Sequence, residues 1–198
     1  MTEQTVTESM AEPTYPPRWA LVIFGAIGLA ASIVLTIDKA RLADNPDKTF
    51  SCDLNAFVSC AGVMASDQAS AFGFPNSYLG IIGFAGVVLI GLALILGVKL
   101  PSFVPAGLWF GTVFGIGLVT WLQVQSIYEI GKLCPYCMIV WAVMIPLFVL
   151  VTAWVLREFR PGGAAARIFT DWTVLIICLW YVGVAAAIWF EFGTNLWA

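Results

Sequence analysis

The chain has 198 residues, of which 61% are hydrophobic and 11% are charged, and its formal net charge is −3. This composition lies outside the usual range of a soluble globular domain and predicts an all-α integral membrane protein. The sequence contains no histidine, which excludes histidine-ligated haem, histidine-containing zinc sites and the usual general base.

Five stretches of about 20 residues are apolar and free of charge, and each is long enough to cross a hydrocarbon core as a transmembrane helix. In chain order they cover residues 19–37, 78–98, 103–124, 134–156 and 172–190. The leader before the first stretch is acidic and the stretch is too long for a signal peptide, so we interpret it as a membrane helix. Residues 1–17 are expected to be a disordered tail, and residues 18–198 a single membrane domain.

The loop between the first two spans, residues 38–76, carries Cys52 and Cys60. Within it, four apolar side chains recur at helical spacing: Leu54, Phe57, Ala61 and Met64. This pattern predicts a short amphipathic lid helix across the mouth of the bundle, with Ser51 or Asp53 as its N-cap. The alternative is a surface helix that lies on lipid headgroups.

Cys134 and Cys137 form a Cys-Pro-Tyr-Cys motif where the fourth span begins. Helical residues three apart share a face and lie about 4.5 Å apart along the axis, a geometry that admits a disulfide. The positive end of the helix dipole favours thiolates, and Pro135 fits an early turn. Cys134 is nearer water and Cys137 one step deeper, so Cys137 needs a lipid-soluble oxidant. A quinone is the obvious candidate.

The distribution of basic residues predicts the orientation in the membrane. The tail, the 99–102 turn and the 157–171 loop share one side and carry five basic residues (Arg18, Lys99, Arg157, Arg160 and Arg167), against four on the other (Lys39, Arg41, Lys48 and Lys132). This small excess favours a cytoplasmic N-terminus. Both cysteine pairs then face the extracytoplasmic side, where disulfides are stable.

Two cysteine pairs on one predicted membrane face suggest that electrons pass between disulfides. Cys60 on the lid helix would reach Cys134, and Cys52 would meet an external thiol. Two purely structural disulfides remain an alternative, as in a non-catalytic disulfide-stapled membrane protein. A four-cysteine zinc site is a further alternative, although the Cys52–Cys60 spacing is long for it. Cys178, alone in the fifth span, is interpreted as a small buried hydrophobic residue.

Three segments in this order resemble the vitamin K epoxide reductase family, above all its bacterial branch, which oxidises thioredoxin-like partners. They are Phe-Ser-Cys-Asp-Leu through Val-Ser-Cys at 50–60, Phe-Gly-Phe-Pro-Asn-Ser at 72–77 and Cys-Pro-Tyr-Cys at 134–137. The resemblance extends over roughly residues 19–156. It implies a four-helix bundle around a quinone headgroup, with the fifth helix peripheral.

The resemblance also implies the electron path and the partners. Electrons would pass from the partner through Cys52, Cys60, Cys134 and Cys137 to a quinone of the menaquinone or ubiquinone type, with no metal and no haem. The partner is expected to be a separate thioredoxin-like (DsbA-like) protein, because we expect no fused domain of that kind, and no nucleic acid is expected to bind. The implied location is a bacterial cell membrane.

Four further residues are candidate quinone contacts. Asn76 is similar to the family's amide that hydrogen-bonds a quinone carbonyl, and Ser77 follows it. Read on its own, this segment is a helix start that Ser77 or Asn76 caps, a role that can coexist with the quinone role. Trp141, one turn after Cys137, stands where vertebrate relatives carry a tyrosine that faces the quinone, but its single donor points differently. Met64 would close the pocket from the lid. An alternative activity within the family is reduction of vitamin K epoxide, or of quinone for its own sake.

Overall fold

The computed structural model describes residues 17–160 and 162–193. The helices are Arg18–Asp44 (α1), Cys60–Met64 (α2), Ser77–Ile95 (α3), Phe103–Val124 (α4), Pro135–Phe159 (α5), Ala164–Asp171 (α6) and Thr173–Phe192 (α7). Five of them, α1, α3, α4, α5 and α7, are long and apolar enough to span a membrane. The all-helical, multi-pass fold predicted from hydropathy is confirmed. The predicted tail, except Pro17, and residues 194–198 lie outside the described residues.

The central helix of the fold is α5, which packs against α1, α4 and α7, while α1 packs along α3. Its fully buried side chains, such as Leu147, Val149 and Val151, form the middle of the core. By contrast, α7 buries only Phe192 and lies at the edge of the bundle, so the prediction of a peripheral fifth helix is confirmed. The expectation that Cys178 is buried is wrong, because it lies on an exposed face of α7.

The close approach of α1 and α3 depends on glycine. A Cβ atom at Gly28 of α1 would lie 2.5 Å from the ring of Phe84 on α3, well inside van der Waals contact. Only a residue without a side chain allows the two helices to pack at this distance.

Two helices continue beyond the apolar stretches that the sequence marks. Helix α1 runs to Asp44, past the predicted end at Ile37, and the Arg41 guanidinium bonds the Asp38 carboxylate at 3.3 Å in this polar extension. Helix α4 continues as a π-helical turn, Gln125–Ile130, and Gly131 ends it with a φ of 63°. Hydropathy reports the length of chain in lipid, whereas the hydrogen-bonded helix extends into the polar region.

The predicted lid helix is present, but it is shorter than its apolar pattern suggests. It begins at Cys60, so residues 45–59, the cysteine loop, precede it. Ser59 is the N-cap and accepts from Gly62 N at 3.0 Å, so the predicted caps at Ser51 and Asp53 are wrong. Asn55 Oδ1 accepts from two backbone amides of the loop, at 2.9 and 2.7 Å. Such local side-chain bonds compete with helix formation.

Candidate functional site

A parallel backbone bridge joins the cysteine loop to the segment that precedes α5. Ser59 N donates to Leu133 O at 3.0 Å, and Leu133 N donates to Phe57 O at 2.7 Å. Cys60 and Cys134 are the next residues along the two bridged segments. The bridge therefore brings together two cysteines that are 74 positions apart in sequence.

Three sulfur atoms lie close together beside this bridge. Cys52 and Cys60 form a disulfide, whereas Cys134 and Cys137 are free thiols. The Sγ atoms of Cys134 and Cys60 are 3.5 Å apart, a distance from which a thiolate can attack a disulfide sulfur. The exposed fractions are 0% for Cys60 and Cys134 and 6% for Cys52, so this conformation hides the disulfide from solvent.

The zinc alternative does not fit this arrangement. A four-cysteine zinc site requires four thiolates, and the disulfide leaves only two free thiols at this position. Within residues 17–160 and 162–193, no group of three or more histidine, cysteine or acidic side chains is arranged to hold a metal ion.

The carboxylate of Asp53 organises the cysteine loop around the disulfide. Oδ2 accepts from Phe50 N at 2.7 Å, and Oδ1 accepts from Ser59 Oγ at 2.8 Å and Ala61 N at 3.0 Å. Burial acts to raise the pKa of Asp53, but these bonds and one from the Cys60 amide outweigh it and hold the pKa below its ordinary value. The loop is thus fastened to the start of α2 by an ionised carboxylate.

Cys134 is the N-cap residue of α5, and Pro135 follows it in the first turn. A hydrogen bond from the side chain of Cys137 stabilises the Cys134 thiolate and lowers the pKa of Cys134. The nearby amides of Cys137 and Tyr136 act in the same direction, while burial and the charge of Asp53 oppose them. A lowered pKa gives Cys134 more of the reactive thiolate at neutral pH.

An apolar cavity of about 360 Å³ lies among α1, α3, α4 and α5, and α2 borders it. Its volume falls within the range of roughly 300–1,000 Å³ that is typical of small-molecule sites. Five of the eight candidate residues line it: Met64, Asn76, Ser77, Cys137 and Trp141. The other three, Cys52, Cys60 and Cys134, form the sulfur cluster beside it. A mainly apolar wall with a few polar groups suits a quinone ring and its two carbonyl oxygens.

Asn76 and Ser77 both have hydrogen-bond partners at the start of α3, but neither side chain caps the helix. Asn76 Nδ2 donates to Gln68 O at 2.6 Å, and Oδ1 accepts from Ala71 N at 3.2 Å. Ser77 Oγ accepts from Thr36 Oγ1 at 2.8 Å. The predicted capping role is wrong because the amide instead binds the backbone of the preceding turn. One N–H of Asn76 has no partner among these bonds.

Other polar residues line the cavity without belonging to any recognisable motif, among them Ser32, Lys39 and Gln68. Ser32 and Lys39 are seven positions apart and therefore share a face of α1. This seven-residue spacing is the sequence signal that could have indicated that both residues line the cavity. It is weak, because a lysine just beyond an apolar stretch normally marks only the end of a span.

The family model of the vitamin K epoxide reductase family matches residues 19–152. The comparison with curated proteins gives no match. The matched range contains all of α1 except Arg18, all of α2 to α4, most of α5 and all eight candidate residues, and it covers well over half of the chain. The chain belongs to the vitamin K epoxide reductase family, whose members are membrane thiol–disulfide oxidoreductases that use quinone.

Proposed function

We propose that the protein is a quinone-dependent thiol oxidase that reoxidises a separate thioredoxin-like (DsbA-like) partner and so supports disulfide formation. The observation that carries this proposal is the 3.5 Å contact between the sulfurs of Cys60 and Cys134. Cys137, three residues further on, borders the apolar cavity. Sulfur atoms therefore extend from a disulfide in the cysteine loop to a site of the right size and polarity for a quinone.

In the proposed cycle, a thiolate of the reduced partner attacks Cys52 and releases Cys60; the second partner thiol then closes the partner's disulfide and frees Cys52. The Cys60 thiolate attacks Cys134 of an oxidised Cys134–Cys137 pair and releases Cys137. Cys52 then attacks Cys60, which restores the Cys52–Cys60 disulfide and leaves Cys134 and Cys137 reduced. The observed redox state, one disulfide and two free thiols, corresponds to this stage.

Re-formation of the Cys134–Cys137 disulfide completes the cycle: its two electrons go to the quinone, which takes up two protons to become a hydroquinone. The lowered pKa of Cys134 supports its role as the sulfur that exchanges with Cys60. Overall, a partner dithiol becomes a disulfide and a quinone becomes a hydroquinone, with no net gain or loss of protons.

The cavity residues have distinct proposed roles. Asn76 is held by the turn before α3 and donates its remaining N–H to a quinone carbonyl. Trp141, 4% exposed, gives a flat aromatic wall, and Met64, also 4% exposed, closes the cavity from α2. Ser77 contributes a hydroxyl beside Asn76. The acceptor is a quinone of the menaquinone or ubiquinone type.

The proposed orientation puts the N-terminus in the cytoplasm of a bacterial cell and the cysteines on the extracytoplasmic side. Helix α1 starts at Arg18 and ends near the cysteine loop, while α5 starts beside Cys134 and has Arg157 in its last turn. Basic residues then lie at the inner ends of both helices. A disulfide in the loop also fits an oxidising compartment.

Replacement of Cys137 by Ser tests the proposal. The variant is expected to lose quinone-dependent oxidation of a thioredoxin-like partner, because no cysteine thiol would border the cavity. The matched control is Cys178→Ser, which removes the exposed free thiol of α7 and is expected to keep full activity. Trapping of thiols after acid quench should show the Cys52–Cys60 pair reduced in the first variant. Undiminished partner oxidation by Cys137→Ser would refute the proposed electron transfer through the four cysteines to the quinone. The interpretation of the disulfide as purely structural would then be favoured.

A further inference from the structure

Two neighbouring cavities share a wall, and Lys39 is the residue of α1 in that wall. Besides the apolar cavity, a more open pocket of about 500 Å³ lies between the end of α1 and the segment that follows α2. Three residues line both of them: Lys39, Met64 and Ser66. Lys39 is therefore part of a thin wall between the cavity next to Cys137 and a pocket that opens toward solvent.

Of the residues that the structure describes, Lys39 is the only cationic one in that wall. Among the described residues, Cys137 is the only other ionisable residue that lines the apolar cavity, and Asp67 is the only other one in the outer pocket. The Lys39 Nζ donates to Ser70 Oγ at 2.6 Å, which uses one of its three N–H bonds. Asp38 bonds Arg41 on the same helix, and the described part of the chain has no carboxylate within 4.0 Å of Lys39.

Reduction of a quinone in this cavity creates a need for protons in an apolar space. Two electrons on a quinone produce oxyanions that become neutral only when two protons arrive, and unpaired negative charge is costly where water is scarce. Histidine, the usual proton carrier, is absent from the sequence. An ammonium without a carboxylate partner, reachable from both sides of the wall, meets this need.

We propose that Lys39 donates a proton to the reduced quinone and is reprotonated from water in the outer pocket; this rests on the function proposed above. The bond between Nζ and the proton breaks as an O–H bond of the hydroquinone forms. The resulting amine then takes up a proton, equivalent to one of those that the partner's thiols release on the same side of the membrane. The second proton comes from one of the two thiols of Cys134 and Cys137, and the proton of the other thiol passes to water. This release offsets the proton that Lys39 takes up, so the overall reaction still gains and loses no protons. Ser70 positions the amine at the wall, and Asp67 draws protons into the pocket.

The test compares Lys39→Met and Lys39→Arg with wild type in single turnovers of prereduced protein with a short-chain naphthoquinone. Methionine keeps the apolar stem without a proton, and arginine keeps the charge but does not release its proton. Both variants are expected to reoxidise about 100-fold more slowly, the lower end of typical general-acid contributions. In wild type the rate should fall as pH rises through the titration of Lys39, whereas in Lys39→Met this dependence should disappear. Lys48→Met, an exposed lysine in the cysteine loop, is the matched control and should behave as wild type.

A second readout separates proton donation from a structural role. Quenching of tryptophan fluorescence measures quinone affinity, and thermal unfolding measures stability; both are expected to stay at wild-type values in Lys39→Met. Wild-type turnover in either Lys39 variant would overturn the proposal, and so would a loss of quinone affinity or stability large enough to explain the slower rate. If wild type itself fails to reduce the quinone, the proposed function fails. If wild type is active, Cys137→Ser is inactive and the Lys39 variants are unaffected, only this inference fails.

Discussion

Replacement of Asp53 by Ala is expected to open the cysteine loop. The carboxylate accepts three hydrogen bonds, from Phe50 N, Ser59 Oγ and Ala61 N. A hydrogen bond to a charged group contributes about 1.5–3 kcal/mol, but water can replace part of this for a half-buried side chain. We therefore estimate that the substitution removes about 2 kcal/mol of the free energy that favours the closed loop, the contribution of one such hydrogen bond. This loss corresponds to about a 30-fold rise in the population of the open loop.

The measurement is the rate at which dithiothreitol reduces the Cys52–Cys60 disulfide, in a Cys134→Ser background that removes the relay. Because both sulfurs are buried, reduction requires opening, so the rate should rise by about the same factor. Asp47→Ala removes an exposed carboxylate of the same loop and should leave the rate unchanged. An unchanged rate in Asp53→Ala would show that these bonds do not hold the loop closed.

The lowered pKa of Asp53 also fixes the pH dependence of loop closure. Since the pKa in the closed loop is below the ordinary value of about 3.9, the stabilisation is fully present above that value. It is lost as pH falls through the lower pKa of the closed state. The reduction rate, corrected for the ionisation of dithiothreitol, should therefore be flat near neutral pH and should rise only in strong acid. A change in the corrected rate between about pH 5 and 8 would implicate a different group.

Three further predictions concern packing and kinetics. Gly28→Ala should destabilise the protein by about 1–3 kcal/mol, because its Cβ would overlap the Phe84 ring. Gly86→Ala, which has open space around it, should leave the stability unchanged. Thermal unfolding in detergent measures the stability of both variants. Thr152→Val should cost about 1–3 kcal/mol by removing the acceptor of Trp109 Nε1, and Thr152→Ser should preserve stability. Partner oxidation should saturate at the rate of loop opening in stopped-flow measurements, and a strictly linear rise with partner concentration would contradict a buried disulfide.

The spans could be predicted from the sequence because a membrane imposes a simple requirement of length and polarity. All five apolar stretches became helices. The helix ends were less predictable, since α1 continues through Asp38, Lys39 and Arg41, and charged residues are as compatible with a helix end as with a loop. The start of α2 was mispredicted because the apolar repeat at Leu54 and Phe57 carries no information about side chains that bind the local backbone.

The cysteine pairs were visible from spacing alone, whereas the elements that align them were not. The bridge between Val58 and Leu133 joins segments that are far apart in sequence. Asp53, next to a cysteine, looked like a helix cap, although it binds both the loop and the start of α2. Neither kind of hydrogen bond leaves a periodic pattern in the sequence, so only the folded chain reveals them.

The buried disulfide places two opposing demands on the cysteine loop. In the proposed cycle, transfer between Cys60 and Cys134 requires the closed arrangement, with their sulfurs 3.5 Å apart and out of contact with water. The proposed attack by a partner on Cys52, which is 6% exposed, would require the loop to leave that position. A loop held too tightly would slow the partner, and one held too loosely would slow the inner transfer. Because the bridge and the Asp53 bonds are few, they can hold the loop closed and still release it. We infer that their combined strength, more than the reactivity of any single sulfur, sets the rate of the whole cycle.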